Sequence, residues 1–369
     1  MRHKTRIILV NGLATAARRA SRHAGAIGAA SLLALLSGCD RSAPTTPPPP
    51  PAPVAAPLSP ADIDALRTTA DKALDDGRVD DALRVATYLA ERTDDATAHE
   101  LVGRVHLARA GRDASRGLSG SASRGLAADA YARAAARAPS SAPLQHAAAM
   151  VLDASGRSAE ARPLYDRAVE LEPRTAEFRL HRANARIRAN DLEGAALDAA
   201  ALREIEPKDP WCDALDAEIA LARGDATGAV DRARRAVDGK NDEIAFRVLL
   251  SRALRAAGRA EEAVIGLRGL TQDERASPAV AREIALGYAA LGRPKDAADA
   301  WETSVVANPG DVALRVAVVE AWLAAGDRLR AREALDALLR LAPEHEARAR
   351  LERSISEASG RRPDVAPRP

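Results

Sequence analysis

The sequence predicts an all-α solenoid of about eight helix-turn-helix repeats, and three observations carry that reading. Small alanines recur at Ala127, Ala161, Ala195, Ala229, Ala263, Ala297 and Ala331, a step of 34 residues held without a slip. Five residues before each of the last six stands a residue suited to left-handed backbone: Gly156, Asn190, Gly224, Gly258, Gly292 and Gly326. The composition is 47% hydrophobic but only 2% aromatic, nine rings in 369 residues. So few large fillers suit a stack of thin helix pairs better than one thick core.

The N-terminal forty residues read as an export signal. Arg2, Lys4, Arg6, Arg18, Arg19 and Arg22 precede any acid, and Ala24 to Gly38 carries no charge. That run is shorter than the ~20 residues a membrane-spanning helix needs but suits a signal-peptide core. It ends in Leu36-Ser37-Gly38-Cys39, which resembles the lipobox read by the bacterial lipoprotein signal peptidase. The resemblance implies a lipoprotein signal peptide over 1–38, cleavage between Gly38 and Cys39, and acylation of Cys39 with palmitate-type chains. Several acyl chains on one cysteine give stable membrane attachment, which a single chain does not. The expected location is the bacterial cell envelope, lipid-anchored and facing the periplasm, on either the inner or the outer membrane.

Removing those six of 54 basic residues leaves 48 against 52 acidic ones, a net of −4 in place of +2. Neither figure favours a nucleic-acid partner. The two cysteines, Cys39 and Cys212, exclude a disulfide-rich scaffold and a multi-cysteine zinc site. Residues 39–60 are the lipidated cysteine and a tether. Nine prolines fall within 41–60, which favours an extended polyproline spacer of about 60 Å at ~3.1 Å per residue.

Ser59-Pro60-Ala61-Asp62 is a helix start, with a serine cap, a proline in the first turn and an acid closing the capping box. Repeats follow. Gly77 and Gly111 are 34 apart, but the alanine five after Gly77 is Ala82, so eleven extra residues lie between Gly111 and Ala127. A third column, Pro139, Pro173, Pro207, Asn241, Arg275, Pro309 and Pro343, marks the end of each second helix. Tyr131, Tyr165, Leu267, Trp301 and Leu335 stand four residues after their alanines and fill the space between helices.

GRSAEARPLYDRAVELEP (156–173), GRAEEAVIGLRGL (258–270) and GRPKDAADAWETSVVANP (292–309) resemble the tetratricopeptide repeat, a helix-turn-helix of 34 residues. By that resemblance eight repeats fill 61–345, starting near Ile63, Thr97, Ala142, Ala176, Pro210, Ile244, Pro278 and Val312. A loop insertion is expected at about 112–125. A capping helix with Leu351 and Ile355 on one face follows over 346–359, and a tail over 360–369. The first-helix tryptophan typical of the family is absent throughout.

The resemblance implies a right-handed superhelix whose first helices line a concave groove for protein partners. By register the groove takes His146, Met150, Leu180, Asn184, Trp211, Glu218, Val248, Arg252, Arg282, Leu286 and Val316, with Arg67, Asp71 and Glu320 toward the ends. The Lys/Asn/Arg set that clamps a C-terminal carboxylate is missing, because Asn184 has Leu180 one turn earlier. A mixed apolar and polar channel for an extended or helical segment is the expectation, with Trp211 either as its anchor or packed between neighbouring repeats.

Chemistry is sparse. No HExxH, P-loop, GxGxxG, GxSxG or CxxC occurs, and GLSGSASRG (117–125) lacks the spacing and preceding strand of a nucleophile elbow. His99, His106, His146, His181 and His345 are scattered; His146 and His181 fall on successive first helices and could face one groove beside Asn184 and Asp153. No metal, cofactor, catalytic residue or small-molecule substrate is expected. Cys212 shares a column with Leu144, Phe178, Phe246, Val280 and Leu314 and should be a buried filler. The leading expectation is a membrane-anchored scaffold for an envelope complex, serving a pilus, exopolysaccharide export or control of peptidoglycan enzymes. The alternatives are an enzyme using the 112–125 insertion and the groove histidines, or a passive envelope spacer.

Overall fold

The computed structural model describes residues 57–357 apart from Gly117 and Ser119. The signal segment, Cys39, most of the tether and the 360–369 tail lie outside the described residues. All eighteen elements among those described are helices. In order they are α1 Pro60–Asp75, α2 Val79–Thr93, α3 Ala96–Ser115, α4 Ser121–Arg137, α5 Ala142–Ala154, α6 Ser158–Leu171, α7 Ala176–Arg188, α8 Leu192–Ile205 and α9 Pro210–Ala222. There follow α10 Ala226–Gly239, α11 Ile244–Ala256, α12 Ala260–Arg268, α13 Gln272–Arg275, α14 Pro278–Ala290, α15 Pro294–Ala307, α16 Val312–Ala324, α17 Arg328–Leu341 and α18 Arg348–Glu357.

Eight antiparallel pairs result, from α1/α2 to α16/α17, closed by α18. Ser59 caps α1 through the full capping box with Asp62. Leu351 and Ile355 bury the inner face of α18 against the eighth pair, as the end of an open stack requires. No helix among the described residues is long and apolar enough to cross a membrane.

The left-handed column turns each pair. Gly77, Gly156, Gly224, Gly258, Gly292 and Gly326 all have φ between +67° and +82°, and Asn190 has +60°. Each turn closes with two bonds back into the first helix. At Gly224 these are Gly224 N–H to Leu221 O at 3.0 Å and Asp225 N–H to Ala220 O at 2.9 Å. Gly224→Val should therefore cost about 1–2 kcal/mol in urea denaturation, whereas Gly224→Asn, the residue tolerated at 190, should cost less than half as much. Equal losses for the two would show that this conformation is not what selects the residue.

The alanine column sits at the crossings, with Ala127, Ala195, Ala229 and Ala331 at 0% exposure. A larger side chain there would hold the paired helices apart. Tyr131, Tyr165, Leu267 and Leu335 are buried beside it, and Trp301 is half-buried.

Two expectations are corrected. Residues 112–125 are not one loop: α3 runs on through Gly111 to Ser115 and α4 begins at Ser121, so the extra residues lengthen both helices. Gly111 is accordingly helical and not a left-handed turn. The lengthened end of α3 also has a long-range purpose. A Cβ on Gly310 would lie 2.6 Å from the Leu118 carbonyl oxygen and 3.0 Å from that of Ala114. The array thus winds far enough to bring its second repeat against the link between α15 and α16. The other irregularity is in repeat six. There the proline column holds Arg275, Gly266 and Gly269 weaken the second helix, and a Thr271–Glu274 capping box starts the separate turn α13.

Candidate functional site

Each second helix packs between its own first helix and the first helix of the next repeat. Several successive first helices, including α7 with α9, α9 with α11 and α11 with α14, also touch each other directly. The array therefore curves with the first helices on its inner side, where register had placed the groove. On that row Met150, Leu180, Asn184, Trp211, Glu218, Val248, Arg252, Leu286 and Val316 are half-buried, Arg282 and Glu320 are exposed, and His146 is buried at 5% exposure. Half-burial is what a side chain standing between neighbouring helices of a concave wall should show.

Most charges on this row pair from one repeat to the next. Arg67 meets Asp95 at 3.3 Å, Asp71 meets Arg104 at 2.8 Å and Glu320 meets Arg350 at 2.7 Å. Glu218 pairs with Arg252, Asp153 with Arg188, and Glu283 with Arg255 at 3.2 Å. Exposed pairs of this kind add little stability. Their effect is to leave a nearly neutral wall in which Met150, Leu180, Val248 and Val316 offer the apolar contact.

Trp211 stands in the first turn of α9, its amide donating to Oδ1 of the capping Asp209 at 3.0 Å. Its ring meets Phe246 of the next repeat edge-on, with centroids 4.7 Å apart and planes at 69°. One side of the indole therefore packs between repeats while the residue keeps part of its surface open. Cys212 beside it is a core filler, 1% exposed; burial pushes its thiol up to about 11, and Sγ donates to the Glu206 carbonyl at 3.4 Å.

His146 and His181 are brought together, Nε2 to Nδ1 at 2.7 Å, with rings within 4° of parallel. Burial pushes His146 down to about 3, helped by the neighbouring ring. Burial and the Arg188 guanidinium push His181 down to about 4 against the pull of Asp153. Both imidazoles are neutral near pH 7, so one nitrogen donates and the other accepts. Glu177, one turn before His181 on α7, joins them; its carboxylate and the two ring nitrogens lie within 4.8 Å of one another. The other histidines among the described residues stand elsewhere. His99 Nε2 is 2.7 Å from Asp94, His106 is buried alone on α3, and His345 Nδ1 accepts from the Ala347 amide at 3.1 Å.

The sequence reading missed a buried charge cluster behind the groove. Asp198 on α8, 1% exposed, accepts from Arg179 at 3.2 Å, Arg182 at 2.6 Å and Arg186 at 2.8 Å, all on α7. Asp166 of α6 pairs with Arg182 at 3.3 Å and Arg186 at 3.2 Å. The signal was present: one repeat along, the positions of Arg182 and Arg186 are Asp216 and Ala220, and in the three repeats after that they are Leu250 and Leu254, Ile284 and Tyr288, and Val318 and Trp322. Repeat four also carries Ala199, as repeat five carries Ala233, where the other repeats from the second on carry a large filler.

Comparison with known proteins agrees with this architecture. A tetratricopeptide-repeat family model matches residues 146–210 and 282–346. No curated protein matches the sequence. Among solved structures, a tetratricopeptide repeat protein from Parabacteroides merdae is 12% identical, covers 80% of this chain and 99% of its own, and superposes with a TM-score of 0.53. Yeast Tom70 is 12% identical, with 83% and 66% coverage and a TM-score of 0.54. At such identities the likeness is one of fold. With its 34-residue step, its left-handed turns and two segments that match the family model, the chain has the tetratricopeptide-repeat fold, an α-solenoid of eight helix pairs and a closing helix among the described residues.

Proposed function

We propose that this chain is a membrane-anchored scaffold that holds segments of partner proteins against its first-helix wall while a cell-envelope complex is assembled. Such a complex would be a pilus, an exopolysaccharide exporter or a peptidoglycan-enzyme system. The carrying observation is the row of half-buried side chains on successive first helices, where Met150, Leu180, Val248 and Val316 stand among charges that mostly pair with each other. A wall of that kind selects by shape and apolar contact, so its ligand is a protein segment with a hydrophobic stripe. The anchor reading rests on the charge-free run ending in Leu36-Ser37-Gly38-Cys39 and on the proline-rich stretch behind it.

Affinity capture from envelope extracts tests both parts. Partners recovered by the wild type should be lost with Trp211→Ala or Leu180→Glu, and Cys39→Ala should move the protein out of the membrane fraction without losing those partners. If both wall variants keep every partner, the groove assignment is wrong. If Cys39→Ala stays with the membrane, the anchor assignment is wrong.

A further inference from the structure

We propose that His146, Glu177 and His181 form a site for a divalent transition-metal cation, Zn2+ by its ligand chemistry, which ties the third repeat to the fourth. Glu177 and His181 are four residues apart on α7 and so stand one above the other on one helix face. His146 reaches them from α5, the equivalent helix one repeat earlier. One potential ligand atom from each of the three lies within 4.8 Å of the others.

The two nitrogens point at each other. Ring centroids 4.9 Å apart, parallel planes and an N–N distance of 2.7 Å describe two imidazoles meeting edge to edge. Tetrahedral zinc at ~2.0–2.1 Å from each nitrogen needs them about 3.3 Å apart. The pair therefore has to open by about 0.6 Å. His146 is held by Phe178 at 4.5 Å and by the edge of Tyr165 at 6.1 Å, so it is pre-oriented. His181 is half-buried, and it is the ring that must turn so that both lone pairs converge on the ion.

Two imidazoles and one carboxylate suit zinc better than calcium or magnesium, which prefer oxygen ligands throughout. Three protein ligands leave the fourth zinc position for water or for a side chain of a bound partner. Arg188, the nearest positive group beside His181, is itself paired with Asp153, which lessens its repulsion of a cation. Because the ligands span α5 and α7, metal binding should hold these two repeats together.

Calorimetric titration of the chelator-treated full chain with zinc chloride tests the site. One equivalent should bind, raise the melting temperature, and be removed by EDTA, while magnesium chloride does neither. His181→Gln and Glu177→Gln should each weaken binding at least tenfold with unchanged helical circular dichroism. Absence of stoichiometric binding to the wild type overturns the proposal. So does wild-type affinity in both variants, which would put the zinc elsewhere, for instance on His3 and His23. Should His181→Gln lose helicity, Glu177→Gln decides, since that half-buried carboxylate can be neutralised without changing its shape.

Discussion

Asp198→Ala should destabilise the array by about 3–5 kcal/mol, read as a lower urea midpoint, because it leaves the arginines of α7 without the carboxylate they enclose. Arg182 grips it through Nε at 2.9 Å and Nη2 at 2.6 Å, and Arg186 adds a bond at 2.8 Å. Burial pulls the Arg182 guanidinium down, yet its bonds to Asp198 outweigh that, and the net direction is upward. Asp166, more exposed, already serves Arg182 and Arg186 and cannot replace the missing partner. Replacing the unit as a whole should behave differently. Arg182→Leu, Arg186→Leu and Asp198→Leu together give positions 182 and 186 the leucines of repeat six, and should cost much less than Asp198→Ala alone, although Arg179 also loses its carboxylate. The loss in the single variant should also be local: in a one-dimensional array, amide exchange should rise first in α6 to α8. A cost below about 1 kcal/mol for Asp198→Ala would mean that water, not this carboxylate, solvates the arginines.

Acidification of the metal-free chain from pH 7 to pH 5 should remove about 2–4 kcal/mol of stability through the His146–His181 pair. In the unfolded chain both rings take up protons around pH 6.5. In the folded chain they resist until about pH 3 and 4. Between those limits the unfolded state binds more protons, so stability is full above about pH 6.5 and declines as pH falls, by at most about 1.4 kcal/mol per unit for each ring. Buried His106, pushed down by burial and by Arg109, adds in the same direction. Carboxylates held low by their partners, such as Asp80 by Arg112 and Glu262 by Arg259, contribute only below that window. His181→Gln should flatten the pH 7 to 5 limb of a denaturation series. An unchanged limb in that variant would assign the acid sensitivity to other groups.

The parts of this molecule that were legible beforehand are those that recur. A turn that must reverse the chain at Gly77 must reverse it again at Gly156 and Gly224, so one local requirement is written seven times in the described array. The same holds for the alanine crossings and for Cys212, read as a filler from its column mates and found buried. Glu177 was not singled out because an acid near the start of a first helix is unremarkable until His146 arrives from the neighbouring repeat. Nor was the insertion read correctly, because Ser and Gly residues suggest a loop whereas the packing of α3 on α4 keeps Ser115, Ser121, Ser123 and Gly125 helical.

What the sequence determined by itself is the array: eight pairs, seven of their turns and their crossing points. These follow from steric rules that act within 34 residues and repeat. Only the tertiary structure decided which side chains meet. It joined three arginines around Asp198, set His146 against His181 and Glu177, and carried the end of α3 to Gly310. Those contacts depend on how far each helix pair is rotated against the next, a small angle that no single residue encodes and that accumulates along the whole stack.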